Sequence, residues 1–185
     1  MSPVRRLLAA AALACPALAL DARTPAPPES DRSPQWSLSA GYGFSVRLSR
    51  GRAEEHAFFF VPAVSFPLSA RLEWTVEGHF AGYFQPSGYM LGAMPVGIRY
   101  FFGTGRAQPY ASLGAGLGWT NLTELEEIDR RFNYLLQSSI GVRGRLPDGS
   151  AWTLEARMDH ISNAGTVLPN LGLNSVVFLG GWRLR

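Results

Sequence analysis

The chain of 185 residues carries a formal net charge of +3, and all 17 of its cationic side chains are arginine. They are scattered rather than gathered on one face or segment, which excludes a nucleic-acid footprint. Hydrophobic residues make up 46%, yet no run beyond the N-terminus approaches the roughly 18 consecutive apolar residues that a transmembrane helix needs; 20 glycines and 12% aromatics point to strands instead.

Residues 1–20 have the layout of a signal peptide. Arg5 and Arg6 form a positive start, Leu7 to Ala14 an apolar stretch, and Ala17-Leu18-Ala19 a small-residue cleavage site. Cys15 is the single cysteine and falls inside this segment; Pro16 directly after it argues against a lipidation box. Once it is removed, disulfides, thiolate metal sites and cysteine catalysis are excluded. Residues 21–34, rich in Pro and Ser, read as a disordered leader, and 35–185 as one β domain.

From Gln35 onward the side chains alternate with the period of a strand. Trp36, Leu38, Ala40, Tyr42, Phe44, Val46 and Leu48 stand against small or polar neighbours. A second strand, Ala57 to Phe66, is apolar on both faces, so its orientation stays open. The third sets Leu72, Trp74, Val76, Phe80 and Phe84 against Glu73, Thr75, Glu77 and His79. The fourth, Tyr89 to Phe102, is mixed, and the fifth sets Leu113, Leu117 and Trp119 against Tyr110, Ser112 and glycines. The sixth sets Phe132, Tyr134, Leu136, Ile140 and Val142 against Asn133, Gln137, Ser139 and Arg143. The seventh covers Trp152 to Asn163, and the eighth carries Val176, Phe178, Trp182 and Leu184.

Eight strands of roughly 9–14 residues joined by turns match a small antiparallel barrel of the bacterial outer membrane. A soluble eight-stranded barrel is the alternative. The minority face of Gly, Ser, Arg and Glu suits a narrow polar interior, however, and the aromatic face is too bulky to fit inside eight strands. With the N-terminus in the periplasm, the turns at Pro67 to Ala70, Gly103 to Gly105 and Pro147 to Ser150 are periplasmic. The connections Ser49 to His56, Gln85 to Gly88, Asn121 to Arg131 and Asn163 to Leu173 then face outward.

Strand seven holds the anomaly. Trp152, Leu154, Ala156 and Met158 form its apolar face, and His160 and Ser162 continue that series. The strand spaces these two side chains roughly 6.5–7 Å apart along its axis, near the outer end and facing lipid. Interfacial polar residues reaching toward headgroups account for such a pair, and so does a nucleophile with its base, since a serine hydroxyl attacks only when an imidazole takes its proton.

His160-Ile161-Ser162-Asn163-Ala164-Gly165, followed by Pro169-Asn170-x-Gly172, resembles the His-x-Ser-Asn-Ala-Gly motif and downstream Pro-Asn-x-Gly segment of the lipid A 3-O-deacylase (PagL) family. That resemblance implies an eight-stranded outer-membrane barrel with a serine-hydrolase site on its lipid-facing outside. It implies lipid A (lipopolysaccharide) as substrate, cleaved at an ester-linked 3-hydroxyacyl chain without cofactor. Ser162 is then the nucleophile, His160 the general base, and Asn163, Asn170 and Gly172 supports, with Asn170 a candidate to line the oxyanion hole. Arg130 and Arg131 are candidates to meet phosphates.

One position departs from the family. Where a glutamate would hold the histidine, this chain has Asn174, fourteen residues after His160. Its parity points it toward His160, and its amide oxygen can orient an imidazole without supplying a charge. Asp159 should face the lumen, and the acidic stretch Glu124, Glu126, Glu127 and Asp129 can supply a carboxylate only if that loop folds over the site. His56 reads as a loop residue and His79 as a lumen residue, so no metal site is expected. The rival reading is a structural or adhesive barrel with little or no activity, which Asn174 favours. The sequence leaves a homodimer open.

Overall fold

In the computed structural model every stretch of alternating side chains becomes a strand. The structure describes residues 33–46, 54–125, 127–128, 130–168 and 170–184; the signal peptide, nearly all of the leader, and Arg47 to Ala53 lie outside the described residues. The strands are β1 (Gln35–Ser45), β2 (His56–Pro67), β3 (Leu72–Gln85), β4 (Ser87–Phe101), β5 (Ala107–Thr120), β6 (Phe132–Arg145), β7 (Ala151–Ser162) and β8 (Leu173–Arg183). Each pairs antiparallel with the next, and β8 returns to β1 through pairs such as Leu38↔Trp182, closing the barrel. Closure leaves no unpaired sheet edge, which a strand structure in lipid requires.

The outer wall is predominantly apolar. Trp36, Phe58, Phe60, Trp74, Leu113, Ile140 and Phe178 are among the large hydrophobic side chains it exposes, more than a water-facing surface of this size carries. Aromatics concentrate toward both rims, with Trp36, Trp74, Trp152 and Trp182 at one and Tyr42, Phe84, Trp119, Phe132 and Tyr134 at the other. Two such girdles around an apolar band are the outer-membrane pattern. The connections 46–55, 121–131 and 163–172 share one rim, here the long-loop rim. Its fourth connection, between Gln85 and Ser87, is as tight as the turns at the opposite rim.

The lumen departs in part from the polar interior expected. Its short-turn half is an ionic mesh. Arg143 donates two 2.7 Å hydrogen bonds to Glu73, Arg157 pairs with Glu155 at 2.7 Å and Glu77 at 3.0 Å, and the Tyr110 hydroxyl donates to Glu155 at 2.7 Å. The guanidiniums of Arg99 and Arg143 also stack over Tyr110 and Phe101. Only about 20 Å³ of free space remains among Val61, Glu77, Arg99 and Arg157, so the mesh plugs the barrel rather than lining a channel. The long-loop half is apolar instead, with Ala57, Phe59, Val61, Met90, Met94, Leu135, Ile161, Leu173 and Val177 in one cluster. This explains the two apolar faces of β2. Phe58 and Phe60 face outward, while Ala57, Phe59 and Val61 face the cluster.

Candidate active site

β7 supplies the centre of the site. Glu155, Arg157, Asp159 and Ile161 are buried in the lumen, so strict alternation turns Met158, His160 and Ser162 to the outer wall. Asp159 faces inward as its parity requires. Across the ladder Leu136 lies opposite His160 and Tyr134 opposite Ser162 on β6, and Asn174 lies opposite His160 on β8. Tyr134 belongs to the aromatic girdle of the long-loop rim, which sets Ser162 at the depth of the membrane interface.

The imidazole is held from two directions. His160 Nδ1 and Asn174 Oδ1 lie 2.9 Å apart. Because the amide oxygen accepts only, the ring proton belongs on Nδ1, and Nε2 is left as the basic nitrogen. Gly172 forms the wall behind the ring. A Cβ built there would stand 2.6 Å from His160 Cε1, and its φ of +70° is one that side-chain-bearing residues seldom adopt. His160 bonds to Asn174 and not to Ser162 among the described residues; the serine and histidine share a face as neighbours two residues apart. Gly172→Ala should push the imidazole off this seat. A displacement near 1 Å costs about 100-fold in turnover, with barrel insertion retained, and steady-state ester hydrolysis by the purified variant checks it.

Asn163 organises the turn that follows the serine. Its Oδ1 accepts from Gly165 N–H at 2.9 Å, its Nδ2 donates to the carbonyls of Val167 and Ile128 at 3.2 Å each, and its own N–H donates to Asn170 Oδ1 at 3.1 Å. These bonds hold Ala164 at φ 54°, a left-handed conformation that costs a non-glycine residue about 1–2 kcal/mol. The side chain of Asn163 is thereby committed to structure. Asn170 is half-buried, and its side-chain oxygen accepts from the Asn163 N–H.

The acidic loop does fold against the site, but through its backbone. Gly172 N–H donates to the Glu127 carbonyl at 3.0 Å. The Glu127 side chain is buried, as is Glu55 just before the start of β2, whose carboxyl is pushed up to about 8 by burial first and by Glu127 second. Glu124 is exposed to solvent, and Glu126 and Asp129 lie outside the described residues. Among the described residues the side-chain partner of the imidazole is Asn174. Sequence reasoning missed the carbonyls of Glu127 and Ile128 as site supports. The available signal was Leu122, Leu125 and Ile128, apolar at every third position of a loop read as acidic.

Arg130 and Arg131 stand exposed at the same rim, at the foot of β6. His79 lies buried in the lumen edge-on to Phe59 at 5.5 Å. His56 opens β2 rather than lying in the loop, and its Nδ1 meets the Tyr42 hydroxyl. Among the described residues no three His, Cys, Asp or Glu side chains are placed to hold a metal ion.

Fold and outer wall together define an eight-stranded outer-membrane barrel that carries a histidine and a serine on its lipid-facing side. The chain belongs to the lipid A 3-O-deacylase (PagL) family, whose model matches residues 64–183. Among solved structures it is similar to the outer membrane enzyme PagL, at 17% identity and a TM-score of 0.63, over 78% of this chain and 97% of that one. It is also similar to Neisserial surface protein A, at 17% identity and a TM-score of 0.60, over 82% and 95%. Likenesses this close to each other establish the barrel and do not choose between the two in function. No curated protein matches the chain.

Proposed function

We propose that the protein is an outer-membrane esterase that removes an ester-linked 3-hydroxyacyl chain from lipid A. The observation that carries this reading is the 2.9 Å contact of His160 Nδ1 with Asn174, on the same outward face as Ser162 at the interfacial rim. With Nδ1–H held by Asn174, Nε2 takes the Ser162 proton as Oγ attacks the acyl carbonyl. The resulting oxyanion draws on the Asn170 amide. Collapse expels the sugar hydroxyl, which regains its proton from the imidazolium, and water repeats the cycle on the acyl-enzyme. The long-loop rim is then the cell-surface side, where the ester linkages of lipopolysaccharide lie level with Ser162. No cofactor takes part in this chemistry.

A second reading has one observation behind it. Asn174 carries no charge to stabilise the imidazolium, which fits a structural or adhesive barrel that keeps the fold with little activity. Mass spectrometry of lipid A from cells with and without the protein separates the two. Loss of one 3-hydroxyacyl chain is expected; an unchanged lipid A profile beside correctly inserted protein overturns the esterase reading.

A further inference from the structure

The ladder stops specifying geometry where the site begins. The last β7–β8 pair is Ile161↔Leu173, so Ser162 is held by β6 alone, through Tyr134. Beyond that pair the chain runs through Asn163 and the turn to Gly172, and something other than the sheet must fix both ends.

The β5–β6 loop, residues 121–131, does so. Leu125 N–H donates to the Leu122 carbonyl at 3.3 Å and Ile128 N–H to the Leu125 carbonyl at 3.0 Å. These successive turns bring all three side chains onto the apolar cluster that contains Ile161 and Leu173. The base of the loop is pinned to β4, since Asn121 Oδ1 accepts from Tyr89 N–H at 2.7 Å and Thr120 Oγ1 donates to the Tyr89 carbonyl at 2.6 Å. Ile128 is wholly buried, at 0% exposure. From that seat two consecutive carbonyls reach both ends of the β7–β8 connection. The Glu127 carbonyl accepts from Gly172 N–H at 3.0 Å, and the Ile128 carbonyl from Asn163 Nδ2 at 3.2 Å. Asn163 directly follows Ser162, and Gly172 is the wall behind the His160 ring.

We propose that Ile128 is a positioning residue for ester hydrolysis, an inference that rests on the esterase reading. Seated in the cluster, it holds the Glu127 and Ile128 carbonyls where they fix Gly172 and Asn163, and so sets how His160 Nε2 approaches the Ser162 hydroxyl. Ile128 touches no reacting atom. Its removal therefore lowers the rate of proton transfer and attack and leaves substrate affinity in place.

The test compares the parent with Ile128→Ala and Ile128→Val as detergent-folded full-length barrels. One assay is lipid A deacylation, and the other is phosphonylation by a fluorophosphonate. In the second reaction Ser162 Oγ bonds to phosphorus, the P–F bond breaks, fluoride leaves and the serine proton passes to His160. It reports serine activation without any lipid A recognition. Ile128→Ala should lower kcat about tenfold or more through misalignment, keep KM within about twofold, and slow phosphonylation in step, with heat-modifiable migration unchanged. Ile128→Val should lie between the two, about threefold below the parent in both rates. Parental kcat and phosphonylation in Ile128→Ala, or a change confined to KM, overturns the positioning role. If Ile128→Ala does not insert, Ile128→Val decides: a fall of about threefold in both rates is expected, and parental rates overturn the proposal. A parent inert in both assays overturns the esterase reading and this role with it.

Discussion

Ser162→Ala and His160→Ala should each abolish deacylation, by on the order of 10⁴-fold or more, while the barrel inserts and shows unchanged heat-modifiable migration on gels. The magnitude follows from the division of labour. Without Oγ there is no acyl-enzyme, and without the imidazole the hydroxyl keeps its proton, so either change removes the whole covalent route rather than a fraction of it. Stability should be nearly untouched, because both side chains face outward, neither contributes to the lumen mesh or the apolar cluster, and the backbone pairs with Tyr134, Leu136 and Asn174 do not depend on side-chain identity. The double variant should be no slower than the slower single one, since the two act as a unit. Assay of lipid A by mass spectrometry, with gel migration in parallel, checks this; near-parental turnover in either variant overturns the assigned roles.

Much of this site is legible in the sequence because a strand gives each residue only two directions. Parity alone places His160 and Ser162 outside and Asp159 inside, and it places Asn174 on the His160 face across a loop. Those placements are geometric consequences of alternation, and the structure has them all. Parity fails where both faces are apolar. β2 gave no orientation because Phe58 and Phe60 meet the outer wall while Phe59 and Val61 meet an apolar cluster, and two apolar surroundings leave no contrast to read. The expectation of a polar lumen holds in the ionic half and misses the apolar cluster of the other half for the same reason. The glutamates and arginines of the ionic half are conspicuous in sequence, whereas Met90, Met94, Leu135 and Ile161 look like more of the outer wall. The Glu127 and Ile128 carbonyls were harder still, since a backbone acceptor has no side chain to announce it and the spacing of Leu122, Leu125 and Ile128 signals only that the loop packs inward. The acidic residues around them drew attention to their carboxylates, while the bonds to Gly172 and Asn163 are made by peptide groups that any residue supplies.

Asn174 is the position at which a change should raise activity. Asn174→Ala should lower turnover about tenfold or more, because the imidazole loses the acceptor that fixes its tautomer and its angle. Asn174→Asp should raise it above the parent. Asparagine already brings Oδ1 to 2.9 Å from His160 Nδ1, and aspartate has the same reach, so the carboxylate oxygen takes over the bond without moving the ring. A hydrogen bond to a charged group is stronger than a neutral one by about 1–1.5 kcal/mol, and because that extra interaction grows as the imidazolium forms, it converts to about a tenfold gain in rate. Asn174→Glu, the residue that the family pattern places here, must fold an extra methylene between His160 and the β8 backbone and should gain less than aspartate in this chain. The pH–rate profile separates a charge effect from repacking. A carboxylate partner favours the protonated ring, so the acid limb should move to higher pH in Asn174→Asp relative to the parent and stay in place in Asn174→Ala only if another acceptor replaces the lost amide. An Asn174→Ala variant as active as the parent would show that the side chain is a bystander. The orienting contacts of His160 would then reduce to the Gly172 wall, and the acidic loop from Glu124 to Asp129 would be the next place to mutate.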